Sequence, residues 1–415
     1  MVFGSAVRGE QTIAKAVKMP VKRVRPSRRC HRLRLPAAAT ETATEITTET
    51  AAVPPGPDLY AFGRDWHIHR LGFLLFRSPM HAPSIQNYDA AERVFSVLIS
   101  STFRKNSLAR MNLAECRAGM VAVLTRSTMR GLPIELTLLA FPFKVPNPAK
   151  VGARTLPDFA ELAAISHFGA LRDAVQRVYP PGLKLHVLHD GALIGEVFGI
   201  EHAEIRKYET YFDRLVANAG ASDFIRCHDF CAAQRRAGLD PTGSLDRLHG
   251  EARQWWKSTR GTHEWRQRFS QTFGMMNLRK FPAKLVAELM IPARQGHLPS
   301  THRRLERQVH AAMIHYHVKD AVIHQFDPRP LCFPDAIHAT TQERRGRLSL
   351  WTTRRGQSVL PWHGVGCLDE RGGARVTHAL DVADHPDYRQ VYTRDEPTPF
   401  AYRRSRRHVP ICATA

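Results

Sequence analysis

Two short apolar runs, Ile134–Phe141 and Leu183–Leu188, bracket a segment of helical periodicity, and no other stretch limits the possible architecture as tightly. Each run has the length of a buried strand rather than a helix. Between them Phe159, Leu162, Ile165, Phe168, Leu171, Val175 and Val178 recur at spacings of three and four, and Pro157 suits a first turn. Tyr179-Pro180-Pro181-Gly182 stops the helix, because proline cannot continue it and glycine takes the turn. Strand, helix, strand predicts a βαβ unit with parallel strands and a right-handed crossover. The expected fold class is therefore α/β: a Rossmann-like, open, mostly parallel sheet with flanking helices.

Both strands run into polar corners. Ala140–Lys150 carries Lys144, Asn147 and Lys150, and the second strand ends at His189-Asp190-Gly191. Open parallel sheets bind ligands just beyond the carboxyl ends of their strands. Lys144 and Asp190 are thus expected to face one crevice. A cationic corner opposite a carboxylate suits an amino group and an anionic, phosphorylated co-substrate.

The net charge of +22 attracts polyanions without specifying which. Much of it is local: residues 1–35 hold ten Lys/Arg against Glu10 alone. No helix-turn-helix, zinc-finger or aromatic RNA-binding pattern accompanies it, so a specific nucleic-acid role is the weaker alternative. Seven scattered cysteines show no disulfide framework and point to reduced thiols in the cytoplasm. No run approaches the ~20 apolar residues that span a bilayer, so no membrane partner is expected.

Residues 1–57 read as a disordered basic and low-complexity tail, ending at Pro54-Pro55-Gly56-Pro57. Residues 58–330 form the expected α/β catalytic domain, and 331–400 a β-rich portion completing the active site. Ser222–Phe230 is a candidate third strand, and Cys227-His228-Asp229-Phe230-Cys231 within it reads as structural thiols, since its spacing is wrong for a zinc pair. His67-x-His69 and the six histidines of His297–Phe326 likewise lack a ligand pattern, so no metal is assigned. Leu239–Lys280, with Trp255, Trp256 and Trp265, is helical, either a lid or packing. Gly346–Thr353 and Ser358–Cys367 predict a hairpin whose second strand is bulged at Pro361. Bulges re-aim side chains beside active sites, which makes Trp362-His363 a candidate wall and acid/base.

In order and spacing, several of these pieces resemble the isonitrile (isocyanide) synthases, also called pyoverdine/dityrosine biosynthesis proteins. The resemblance rests on Phe141-Pro142-Phe143-Lys144, Pro146-Asn147, Lys150, Pro157-Asp158, Tyr179-Pro180-Pro181-Gly182, Asp190-Gly191 and Pro361-Trp362-His363-Gly364-Val365, and runs from roughly residue 60 to 370. It implies an enzyme converting the α-amino group of tyrosine or tryptophan to an isonitrile, with ribulose 5-phosphate as carbon donor. It also implies no metal or organic cofactor, and a downstream iron/2-oxoglutarate oxygenase as a partner. The yeast branch implies an N-formyl-tyrosine-forming alternative. The sequence departs from the pattern after Phe333-Pro334-Asp335-Ala336-Ile337. Where members carry Arg-Leu-Ser-Ile-His, His338 stands at the arginine position and Gln342 at the histidine position.

Joining an amine to a ketose requires a deprotonated amine, a polarised carbonyl and a held phosphate. The expected catalytic residues are Lys144, Asp190 and His363. Lys144 and Lys150 are positive charges for the phosphate or ketone, Asp190 an anchor or base for the amine, and His363 a proton shuttle. The expected substrate-binding residues are Asn147, Lys150, Trp362 and His338: Asn147 for sugar hydroxyls, Trp362 for the amino-acid side chain.

Overall fold

The computed structural model describes residues 85–344, 346–369, 373–392 and 400–404. The expected tail and His67/His69 lie outside these. Helices α1 (Ile85–Leu98) and α2 (Leu113–Met129) pack together and precede strand β1 (Ile134–Leu139). Helix α3 (Phe159–Val178) then leads to β2 (Leu183–His189), as the periodicity predicts. Its first turn is fixed by a capping box. Asp158 Oδ1 accepts from Ala160 N at 2.7 Å, and Glu161 Oε2 accepts from Asp158 N at 2.8 Å. Helix α4 (His202–Asn218) leads to β3 (Ile225–Asp229), and among the helices that follow the four longest are α5 (Leu245–Thr259), α6 (His263–Met275), α7 (Ala283–Arg294) and α8 (Arg303–Gln325). Strand β4 (Ile337–Ala339) completes the first sheet.

That sheet is wholly parallel in the order β3-β2-β1-β4, with Leu136 opposite both Leu185 and Ile337. The chain steps outward from β1 through β2 to β3, then returns to the other side of β1 as β4. The direction of winding therefore reverses between β1 and β4, which is where an open parallel sheet leaves a crevice. Leu136, Leu138, Leu185 and Val187 are buried with Phe168, Leu171 and Val175 of α3 and Phe212 and Leu215 of α4. A second core joins α6, α7 and α8 through Phe269, Phe273, Val286, Leu289, Val309 and Met313. Trp255, Trp256 and Trp265 pack with this second core, so they serve packing rather than a lid.

The second sheet combines β5 (Val365–Leu368), β6 (Ala374–Thr377), β7 (Tyr388–Tyr392) and β8 (Phe400–Arg404) in the order β6-β5-β8-β7. It seats directly on the start of α3. A Cβ at Gly366 would lie 2.4 Å from Phe159 Cβ and 2.8 Å from Ala160 N, so only glycine permits this approach. The expected hairpin does not form. Leu350 bridges Arg104 and Ser349 bridges Thr340, while Pro361–His363 is a single 3-10 turn with the proline at its first position. Proline's fixed φ and missing N–H favour that turn over a ladder.

Candidate active site

The crevice at the β1/β4 reversal is lined on the β1 side by Leu139, Ala140 and Pro142 and on the β4 side by Ala339, Thr340, Thr341 and Gln342. Asp190 enters from the end of β2, Trp362 and His363 from the 3-10 turn, and Tyr316, Asp320, Ile323 and His324 from α8. Arg329, Arg344 and Arg347 complete it. Three of the expected residues, Asp190, Trp362 and His363, are thus brought to one cavity.

The two corners fit because of one glycine. A Cβ at Gly191 would lie 2.1 Å from the Pro142 carbonyl oxygen, so the Asp190-Gly191 corner rests directly on the backbone of the first corner. Phe141 adopts φ 56°, a conformation costly for a bulky side chain. It is held there by its surroundings. Its carbonyl accepts from His189 Nδ1 at 2.8 Å, its ring stacks on Phe212 at 4.4 Å, and Trp362 meets it edge-on at 4.9 Å. Burial, with the nearby charge of Asp320, raises the Asp190 carboxyl to about 6.

Arg329 is buried and committed: it binds both Asp327 oxygens (2.7–3.1 Å) and the Ala339 carbonyl at 3.2 Å. Although burial pushes the Asp327 carboxyl up, those bonds hold it below its ordinary value. Arg344 contacts His324 Nε2. Arg347 lines the same cavity as Arg329 and Arg344, and burial, then the charges of those two guanidiniums, lower its pKa. Asp320 lies 3.6 Å from Arg268 and 3.8 Å from His324. None of these α8 and β4-loop groups stands out in the sequence. The one available signal was position: the Arg344–Arg347 loop directly follows a strand of the parallel sheet.

Lys144 does not line this cavity, which corrects the expected pairing with Asp190. Its Nζ donates to both Glu161 oxygens (3.0 and 2.9 Å) and to the Pro361 carbonyl (3.0 Å), and lies 3.0 Å from Asp158 Oδ2. The flanking Phe143 and Val145 are buried and carry the lysine inward, where the capping box of α3 presents two carboxylates. Burial raises the Glu161 carboxyl while the Lys144 charge opposes that shift. Asn147 is also structural rather than a sugar ligand. It caps Pro148–Val151, accepting from Ala149 N at 3.0 Å, and donates to the Gly274 carbonyl at 3.2 Å. His338 lies against β1, with Nδ1 2.9 Å from Thr137 Oγ1, and does not line the cavity. Burial and the nearby Arg329 charge lower its pKa to about 4.

Lys150 stands behind the cavity rather than in it. Among the described residues no carboxylate pairs with it, and burial lowers its pKa to about 8. Its charge acts on His363 and His378. Burial first, then Lys150 and His378, push His363 well below its ordinary value, so its imidazole is neutral at physiological pH.

The sequence profile of the pyoverdine/dityrosine biosynthesis proteins matches residues 124–391, which include every strand of the parallel sheet and all the cavity residues named above. The chain belongs to this family. An L-tyrosine isonitrile synthase of Xenorhabdus nematophila is 30% identical over 120 residues, 29% of this chain and 33% of that protein. One from Pseudomonas aeruginosa is 38% identical over 92 residues, 22% of this chain and 28% of that protein. These matched segments therefore span about a third of each relative. The crystal structure of the Pseudomonas aeruginosa PvcA protein superposes with TM-score 0.54 at 18% identity, covering 76% of this chain and 99% of the other, a likeness of fold. Among the described residues of this family member, no helix is long and apolar enough to cross a membrane.

Proposed function

We propose that this chain converts the α-amino group of an aromatic L-amino acid, tyrosine or tryptophan, to an isonitrile with ribulose 5-phosphate as carbon donor. The observation that carries the reading is a single cavity with carboxylates (Asp190, Asp320) and guanidiniums (Arg344, Arg347) on its walls, together with Trp362 and a neutral His363. An amino acid and a sugar phosphate present complementary groups: an ammonium for Asp190 and a phosphate for the arginines. Arginine forks match phosphate geometry, and these two guanidiniums take the part that an arginine at position 338 would have played.

In this reading Asp190 holds the amine beside the ketone carbon. Condensation at the ketone carbon releases water and forms the carbon–nitrogen bond. Because an isonitrile carbon keeps no carbon substituent, both carbon–carbon bonds at that carbon then break, releasing a one-carbon aldehyde, a three-carbon keto phosphate and a second water, while His363 relays the protons. Lys150 acts through His363, its charge disfavouring a second cation there. Trp362, held edge-on against Phe141, supplies a flat wall for the aromatic side chain.

The test is incubation of the purified chain with each aromatic amino acid and ribulose 5-phosphate, followed by infrared spectroscopy and mass spectrometry. An isonitrile band that depends on both substrates is expected. A formylated amino acid instead would assign the alternative chemistry, and no amino-acid-derived product from either substrate pair would discard the reading.

A further inference from the structure

On the far side of the Asp190 corner, three potential ligands from different elements converge. His189 ends β2, Asp213 lies on α4, and Cys227 lies on β3. One donor atom of each lies within 4.8 Å of the other two. The sequence reading set Cys227 beside Cys231 as plain structural thiols, because sequence spacing gives no hint that β2 and α4 bring a histidine and a carboxylate to it.

The histidine shows which way the cluster is prepared to act. Its Nδ1 lies 2.8 Å from the Phe141 carbonyl oxygen, which can only accept, so Nδ1 carries the proton and Nε2 carries a lone pair. The ring is 3% exposed, and Nε2 is buried without any hydrogen-bond partner. A buried imidazole with a backbone carbonyl on one nitrogen and an open lone pair on the other is the arrangement that metal-ligating histidines adopt. An unfilled buried acceptor of this kind is costly unless something occupies it. Water or a neutral donor would fill Nε2 alone. The Cys227 thiol beside it is hydrogen-bonded to the Asp213 carboxylate, and burial with that carboxylate raises the thiol's pKa, so a cation that fills Nε2 would take the place of the thiol proton.

We infer that His189, Asp213 and Cys227 form a binding site for a borderline-soft divalent transition-metal ion, zinc by preference. One nitrogen, one sulfur and one oxygen donor suit zinc, whereas the thiolate disfavours magnesium and calcium. Bonds of about 2.0–2.3 Å require donors roughly 3.5 Å apart, so a shift of about an ångström, mostly in the exposed Asp213 side chain, closes the shell. Glu209 lies one turn before Asp213 on α4, its Oε1 buried and unpartnered, and it supplies the fourth ligand or orients a water there. Binding replaces the Cys227 thiol proton, which passes to solvent. The ion ties β2 and β3 to α4, and through His189 it fixes the strained Phe141 carbonyl and the neighbouring Asp190. It is a positioning site, separate from the cavity lining.

The test uses the full chain stripped with a chelator and titrated with cobalt(II). One equivalent is expected to bind with a thiolate-to-metal charge-transfer band and strong visible bands of four-coordinate cobalt, and zinc is expected to displace it. Cys227→Ser should abolish the charge-transfer band, and Asp213→Asn, at an exposed position that tolerates change, should weaken binding at least about tenfold, the usual low end for losing a ligand contact. Elemental analysis of the chain as purified should show zinc that both variants lose. Absence of the thiolate band, or a band that survives in Cys227→Ser, overturns the assignment. So does unchanged affinity in Asp213→Asn, which also decides the matter should the serine variant fail to fold.

Discussion

Replacing Lys144 by methionine separates a structural lysine from a catalytic one. The Lys144 and Glu161 side chains are 0% exposed and that of Asp158 is 1% exposed. Methionine leaves two buried carboxylates without a countercharge and removes a donor from the Pro361 carbonyl. Breaking a buried pair by deleting one partner costs about 3–5 kcal/mol, and the lost bond to the carbonyl adds about 1. A loss of about 4–6 kcal/mol is comparable with the entire stability of many domains. In urea titration the midpoint should fall steeply, and the melting temperature should drop by roughly 6–9 °C. The double variant Lys144→Met/Glu161→Gln should recover a large part of the loss, because the stranded charge goes with its partner. A singly substituted protein that keeps wild-type stability yet loses turnover would refute this account and return the lysine to the chemistry.

Three further outcomes follow from the geometry. Arg344→Gln and Arg347→Gln should each raise KM for the pentulose phosphate about tenfold or more, the worth of a charge-assisted hydrogen bond, with little change for the amino acid; steady-state kinetics with each substrate varied checks this. Gly191→Ala drives a methyl into the Pro142 carbonyl and should cost roughly 1–3 kcal/mol in chemical denaturation. Lys150→Met should stabilise the fold at neutral pH. With a pKa moved from 10.5 to about 8, folding works against the charged lysine by at most about 3 kcal/mol, a cost fully present below about pH 8. Above it the folded chain binds fewer protons than the unfolded one, so wild-type stability rises towards pH 10.5. The variant's advantage, read from urea midpoints across pH, should therefore shrink over that interval while His363 and His378, already neutral, contribute nothing.

The βαβ unit was legible because its signals are local: apolar runs of strand length, a period near 3.6, and prolines at the breaks. Asp190 was legible for the same reason, since a polar residue just past a strand sits at the sheet's rim whatever the tertiary details. Lys144 misled because the same rule was applied to it, while the apolar Phe143 and Val145 on either side of it argued for the interior. What receives it there, the Asp158/Glu161 capping box, was readable as a helix start but not as a partner for a lysine from another segment. The arginines of the cavity escaped notice because β4 is three residues long and its pairing with β1 is decided by contacts two hundred residues apart. The failed hairpin has a comparable cause. Alternation alone cannot say that Pro361 will start a 3-10 turn that Val145 and Lys144 hold from outside.

That turn is anchored twice, by Val145 N on the Trp362 carbonyl at 2.9 Å and by Lys144 on the Pro361 carbonyl at 3.0 Å. The aromatic side of the cavity is consequently a fixed jaw, clamped to the same buried charges that start α3. Across the cavity from it, Arg344 and Arg347 stand on the loop that follows β4. In the proposed reading, a change at Arg344 or Arg347 alters the seat of the phosphate while the aromatic wall keeps its place.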